Sequence, residues 1–396
     1  MKRKRNKAIL ITILYALITA VMVFGAPAVA AAGEATIGDA VGEGLDSLDL
    51  KEFDAFIKSL GEKERSVLGF SSVKTFLRVL CDGNSGNFLG NFVNALKTTA
   101  LEYIGICIPS FLTIIVVCIL CSILSALTSN FKKQSTVEVV MFVAYATAVI
   151  IVLAIVTDVV ITVEKTISLL SKLSEILFPI LLTLLTALGG VTTVAAFQPF
   201  LAFLSGGIMK IISAIIVPAF VATNLFAVVG NITKDVKLDK MSAFFKSGAS
   251  WLLGIVFSLF MAFVTAQGIT GAAFDGISFQ AAKFALSTYV PILGGYLSDG
   301  FDLALAGAVL IKNAAGFTGI IILLAIVVFP LLKLVILTLL LKLTAAVTEP
   351  LGEKKVSQMT LSVSKNMSLL AASLIGAGFL ILVMFMLILG SCNVAA

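Results

Sequence analysis

Asp299 and Asp302 lie three residues apart in the tract GGYLSDGFD (294–302), between two strongly apolar regions. Two carboxylates at that spacing share a helical face and could pass a proton, attract a cation or cut a peptide bond. Gly294, Gly295 and Gly300 favour a bend instead, since glycine weakens a helix. A solvated loop, a broken helix lining a path and a catalytic pair are therefore all in view. An intramembrane aspartyl protease needs its two aspartates on different helices, facing one another across a site. Two aspartates on one turn, with no Gly-x-Gly-Asp element, do not supply that.

Other ions interrupt apolar sequence. Lys210 lies in SGGIMKIISAIIVPAF, Lys333 in FPLLKLVILTLLLKL, and Lys312-Asn313 closes AGAVLIKNAAG. Each charge in hydrocarbon costs at least about 2.5 kcal/mol, which makes such residues functional candidates. A lysine can also snorkel, burying its stem and sending its ammonium to the interface. That suits Lys312 and Lys342. Lys333 lies deeper in its run and follows Pro330, where a kinked helix would turn it towards a cavity or a partner.

No histidine is present, which removes the commonest general base, pH switch and metal ligand together. Cys118-Ile-Leu-Cys121 has the spacing of a redox or zinc motif but no second cysteine pair, and it reads as helix packing. There is no Gly-x-Ser-x-Gly elbow, P-loop lysine or cluster of metal ligands. The chain is expected not to be an enzyme and to hold no cofactor or metal.

The elements that position these residues are membrane helices. Of 396 residues, 59% are hydrophobic and 13% charged, against about 25% charged in soluble chains. The net charge of +6 comes from cations at the N-terminus and in short loops, a pattern that orients helices rather than binding nucleic acid. Residues 1–30 combine MKRKRNK, an apolar run and Ala28-Val29-Ala30. They read as a signal peptide, or as an uncleaved anchor. Residues 31–105 read as a small extracytoplasmic helical region. Phe53, Phe56, Ile57 and Leu60 share one helical face, with Asp49-Leu-Lys-Glu52 as a capping box before them. Val73, Phe76, Leu77 and Leu80 form another face, and Phe88, Phe92 and Leu96 a third. This region would form a cap, lie on the membrane or dock a partner.

Residues 106–396 read as an all-α polytopic domain of about seven to eight transmembrane helices. The segments are 106–127, 139–161, two within 176–229 split near Pro199, 248–270, an interrupted one at 284–313, 316–341 and 367–390. A parity problem follows. Lys132-Lys133, the loop of Lys234 to Lys246 and the loop of Lys342 to Lys365 are all basic and thus cytoplasmic. Keeping all three inside requires a re-entrant piece within 176–229, whereas a crossing at 284–313 would put the loop of Lys234 to Lys246 outside, against its charge. Small-residue patches at Ser205-Gly206-Gly207, Ser247-Gly248-Ala249-Ser250 and Gly376-Ala377-Gly378 permit close packing, within one protomer or between copies.

The tracts YVPILGGYLSDGFDLALAGAVLIKNAAG (289–316) and LKLTAAVTEPLGEKKVS (341–357) resemble the stage III sporulation protein AE family of endospore-forming Firmicutes. Glu349-Pro350 belongs to the second tract. The resemblance extends over essentially the whole chain. It implies a component of a mother cell–forespore transenvelope channel or secretion-like complex in the membrane around the forespore. The implied partners are a separate ATPase, ring-forming proteins and other stage III proteins, in an oligomeric assembly. It assigns no residue a role. Asp299, Asp302, Lys312, Asn313, Lys333, Lys210, Glu349 and Pro350 remain candidates for a channel or assembly interface on physical grounds. A stand-alone secondary transporter or a scaffold for ring-forming partners are the competing expectations.

Overall fold

The computed structural model describes residues 41–46, 48–68, 70, 72–81, 88–128, 134–231, 238–289, 294–351 and 354–391. Side chains are described throughout these except at 88–89, 125–128, 134–138, 239, 266–289 and 294–304. The signal-like segment lies outside the described residues.

Helices account for nearly all of the described chain, and no strand occurs among the described residues. After a helical stretch at 41–46 come three short helices: α1 (Lys51–Ser59), α2 (Glu62–Leu68) and α3 (Val73–Cys81). Their apolar faces are the predicted ones, with Phe53, Phe56, Ile57, Val73 and Leu77 all buried. These faces pack on the protein's own long helices rather than facing solvent. The capping box does not form as expected. Leu50 is the N-cap of α1, and Asp49 accepts only from the Lys51 amide at 3.2 Å.

Six long helices follow: α4 (Phe88–Thr128), α5 (Gln134–Ala187), α6 (Val191–Val229), α7 (Asp239–Tyr289), α8 (Gly294–Thr348) and α9 (Lys354–Gly390). Among the described residues these six are long and apolar enough to cross a membrane. The sequence pattern suggests seven or eight because adjoining apolar segments are fused into single helices. Thus 139–161 and 176–187 both belong to α5, which has 54 residues. Residues 294–313 and 316–341 both belong to α8, which has 55. At 1.5 Å per residue such helices are about 80 Å long, against a hydrocarbon core of about 30 Å.

Two expected breaks are corrected. The split within 176–229 is at Gly189-Gly190, not Pro199, which lies inside α6. Gly189 takes φ 80°, and Gly190 N–H donates to Leu185 O while Gly189 N–H donates to Thr186 O. That pair of bonds closes the helix C-terminus, and the left-handed residue favours glycine. The bend expected at GGYLSDGFD is replaced by the first turns of α8, while the expected interruption within 284–313 falls between the end of α7 at Tyr289 and the start of α8 at Gly294. Two π-helical stretches, Phe203–Ile208 and Ile212–Ile216, loosen α6 around Lys210.

The parity problem resolves through contacts between helices. Tyr145 of α5 donates to Val228 O of α6 at 2.6 Å. Ser242 of α7 donates to Thr223 O at 3.1 Å, Lys246 reaches Lys365 O, and Ser357 donates to Ala345 O at 2.8 Å. With the Cys121 contact to Val140 O, these bonds gather the C-terminal ends of α4, α6 and α8 at one end, which carries Lys240, Lys354 and Lys355. Each long helix runs from that end to the other or back, so neither a re-entrant piece nor an extra crossing is needed. α8 and α9 form the most buried pair, with α4, α5, α6 and α7 around them.

Candidate functional site

The charges in apolar sequence separate into engaged and exposed groups. Lys333, with its side chain 14% exposed, reaches from α8 to α5. Its ammonium lies 2.9 Å from Asp158 Oδ1 and 2.8 Å from Oδ2, and it donates to Thr162 Oγ1 at 2.9 Å. Thr162 in turn donates to the Asp158 carbonyl at 2.8 Å, which fixes the hydroxyl as an acceptor for Lys333. The Tyr103 ring of α4 lies 5.8 Å from the same ammonium, and Lys63 of α2 lies 4.3 Å from that ring. Lys63 also pairs with Glu102 at 2.9 Å. Glu102, Lys63, Tyr103, Lys333 and Asp158 thus form one cluster that ties α2, α4, α8 and α5 together. Pro330 does not turn Lys333 into a central cavity, because α8 continues through it.

Asp158 carries half of this site and is absent from the sequence candidates. It follows the apolar run of α5, where a carboxylate is as costly as a lysine. Seeking an opposite charge for Lys333 in the other apolar runs would have found it.

Lys312 is fully buried, so the snorkelling expectation fails. Its ammonium donates to Leu389 O at 3.2 Å and Ser391 O at 2.5 Å. These are carbonyls at the C-terminal end of α9, where the helix dipole is negative and carbonyls lack helical partners. Lys312 is therefore a clasp between α8 and α9. Asn313 beside it is half-buried. Lys210 is exposed on α6, between the two π stretches. Glu349 and Pro350 are exposed in the turn after α8, at the basic end. The side chains of Asp299 and Asp302 lie outside the described residues. The candidate residues whose side chains are described lie at separate places: Lys333 against α5, Lys312 and Asn313 near the end of α9, Lys210 on α6, and Glu349 and Pro350 at the basic end.

Two grooves open on the surface. One, of about 740 Å³, lies between α2 and α4 beside the charged cluster, lined by Glu62, Glu64, Asn91, Asn94, Thr98 and Glu102 among others. The second, of about 460 Å³, lies between α5 and α6, with Glu175, Thr183, Gln198 and Ser205 among its walls. At its edge the Ser171 hydroxyl is 2.9 Å from both Glu175 Oε1 and the Ser205 carbonyl of the first π stretch. One hydroxyl proton serves one of them at a time. Among the described residues no group of three metal-ligating side chains occurs. The chemistry available is polar recognition and charge pairing between helices.

The small-residue patches also divide. A Cβ at Gly376 would fall 1.8 Å from the Phe257 ring, and one at Gly378 would lie 3.0 Å from Val327, so that patch packs helices within the protomer. Gly206 and Gly248 have nothing within 4 Å of a Cβ position.

The family profile described as Stage III sporulation protein AE matches residues 71–392. This chain belongs to that family. It is similar to Stage III sporulation protein AE of Bacillus subtilis (strain 168), with 27% identity over 262 residues, 66% of each chain. The match therefore spans just under two thirds of that relative. No solved structure matches the chain. Family membership makes this a protein of stage III sporulation, and the matched range takes in all six long helices together with Tyr103, Asp158 and Lys333.

Proposed function

We propose that this protein is the membrane-embedded component of a mother cell–forespore channel or secretion-like complex required for sporulation, in the mother-cell membrane around the forespore. The observation that carries the reading is the pairing of family membership with helices near 80 Å long, crossed at one level by the Glu102–Lys63–Tyr103–Lys333–Asp158 cluster. Such a body offers partners far more ordered surface than a bilayer covers. Its partners are other stage III proteins, including a separate ATPase and ring-forming proteins, since no nucleotide-binding motif is present in the chain.

The test is dependence on partners. Affinity capture of the full chain from sporulating cells is expected to recover the other stage III proteins. Purified protein in vesicles is expected to move no solute unaided. Solute movement by the purified protein alone would favour a self-sufficient transporter. Replacing Asp299 and Asp302 together by asparagine is expected to lower sporulation efficiency at unchanged protein level. Wild-type sporulation in that double variant removes those residues from the working interface.

A further inference from the structure

The outward-facing residues of the long helices change character at one height. On α4, apart from Val93, the exposed large apolar residues run from Leu101 to Leu124, on α5 from Val139 to Ile161, and on α7 from Met241 to Met261. At 1.5 Å per residue these stretches rise about 35, 33 and 30 Å. Exposed Ile215, Leu225 and Val229 of α6 and Val335, Leu339 and Leu343 of α8 fall in the same zone. The zone starts at the basic loops and is as tall as a hydrocarbon core. Between Tyr103 and Leu124, Val139 and Thr157, and Ser247 and Thr265, the helices carry no ionisable acid or base other than Cys107, Cys118, Cys121 and the tyrosines.

Beyond Ile161 the same α5 helix exposes Glu164, Lys165, Ser168, Lys172, Glu175, Pro179, Thr183, Thr186 and Ala187. None is a large apolar residue. Its inward face remains apolar, with Leu170, Leu173, Leu177, Phe178 and Leu181 buried. Polar outside and apolar inside is how a helix is built against water. Lys210 fits the same division. The Tyr145–Val228 and Ser171–Ser205 bonds set the register of antiparallel α5 and α6 and bring Lys210 level with the Glu164–Thr166 turn. It stands past the apolar zone, so its exposure carries no hydrocarbon cost. Val79, Val93, Val191, Phe203 and Phe379 are exposed beyond the zone, but singly, as on any water-facing surface.

We propose that the bilayer covers only the half of the bundle next to the basic loops. Its outer boundary lies at the plane of Glu102, Asp158 and Lys333. The remaining part of α5, about 44 Å from Asp158 to Ala187, stands outside the membrane with the matching parts of α6, α8 and α9. The charged cluster then marks where aliphatic surroundings give way to water, a natural place for a lysine whose stem is buried and whose partner is exposed. Sequence alone assigns these upper parts to the membrane because α8 and α9 are apolar all round there. They are apolar because α2, α3, α5 and the other long helices cover them, not because lipid does.

The chain contains one tryptophan, Trp251, which is 72% exposed midway along the apolar zone of α7. It is a built-in depth gauge. The full chain is reconstituted into phosphatidylcholine vesicles whose acyl chains carry bromine at a deep or a shallow position. Trp251 fluorescence is expected to be quenched at least twofold more by the deep bromines. In right-side-out vesicles, single cysteines from Lys172→Cys and Gln198→Cys, in a cysteine-free background, are expected to react with a membrane-impermeant maleimide. Leu112→Cys and Leu259→Cys are expected to react only after detergent is added. Stronger quenching by shallow bromines overturns the placement, as does protection of positions 172 and 198 equal to that of 112 and 259.

Discussion

The two halves of α5 are one continuous helix with opposite outer faces. From Val139 to Thr157 it presents Phe142, Val143 and Ile150 outward. From Glu164 to Thr186 it presents carboxylates, ammoniums and hydroxyls. Both interiors hold buried polar groups, but these are linked across helices in different ways. Next to the basic loops the buried set includes Thr223, Asn224, Thr344, Thr348, Ser357, Thr360, Ser364 and Asn366. There Asn366 donates to Asn224 Oδ1 at 3.3 Å across α9 and α6, and Ser357 ties α9 to α8. In the far half Thr166, Ser174, Thr193, Lys312 and Thr318 are buried among aliphatic and aromatic residues, with Phe178 against Phe385 at 5.2 Å between centroids. Lipid is as apolar as leucine, so burying leucine among helices stabilises nothing there, and close packing and hydrogen bonds must hold the helices. Where water surrounds the bundle, the hydrophobic effect again becomes the main force holding the helices together.

This contrast can be broken by matched substitutions. The largest effect is expected in the far core. Phe178→Ala should cost about 3–5 kcal/mol, read as a lower unfolding midpoint in a denaturant titration of the purified protein. A loss below about 1 kcal/mol would deny that half a water-type core.

A charge moved along the outside of α5 comes next. Ile150→Lys should cost about 2.5–3.5 kcal/mol of membrane insertion, seen as reduced integration and protein level. Ser168→Lys on the exposed face of the same helix should fall within about 0.5 kcal/mol of wild type. Equal outcomes at the two positions would erase the division.

Lys312→Met leaves the Leu389 and Ser391 carbonyls without their ammonium. It should destabilise by about 1–3 kcal/mol, with faster amide exchange in the last turn of α9. Unchanged exchange there would mean that the clasp does not hold the helix end.

The smallest effects belong to the membrane half and the boundary. Asn366→Leu should cost about 1 kcal/mol or less. A double-mutant cycle with Asp158→Asn and Lys333→Met should give a coupling of about 1 kcal/mol, because Asp158 is 59% exposed and water screens it. A coupling of several kcal/mol would put that pair inside hydrocarbon and move the boundary outward.

Much of the architecture is legible in local pattern. The cap helices announce themselves through Phe53, Phe56, Ile57, Val73 and Leu77, whose spacing matches a single buried stripe. Helix breaks are harder to read, since proline and glycine punctuate only when the neighbourhood allows it. Pro199 and Pro330 are absorbed into helices, whereas Gly189 ends one because its left-handed φ lets the chain reverse. The site was half legible. Lys333 stands out as a lone cation in an apolar run, but its partner is 175 residues away on another helix. Lys312 stands out equally, yet two of its partners are backbone carbonyls, which no side-chain pattern reveals.

By itself the sequence determines that the chain is helical and that it enters a membrane. Those properties follow from residue composition and 3.6-residue periodicity, which act locally along the chain. Only the tertiary structure decides which apolar face meets lipid and which meets another helix. Hydropathy treats both surroundings alike. The distinction rests on whether another helix or a cap stands in front of each face, and that is settled by contacts between residues far apart in the chain.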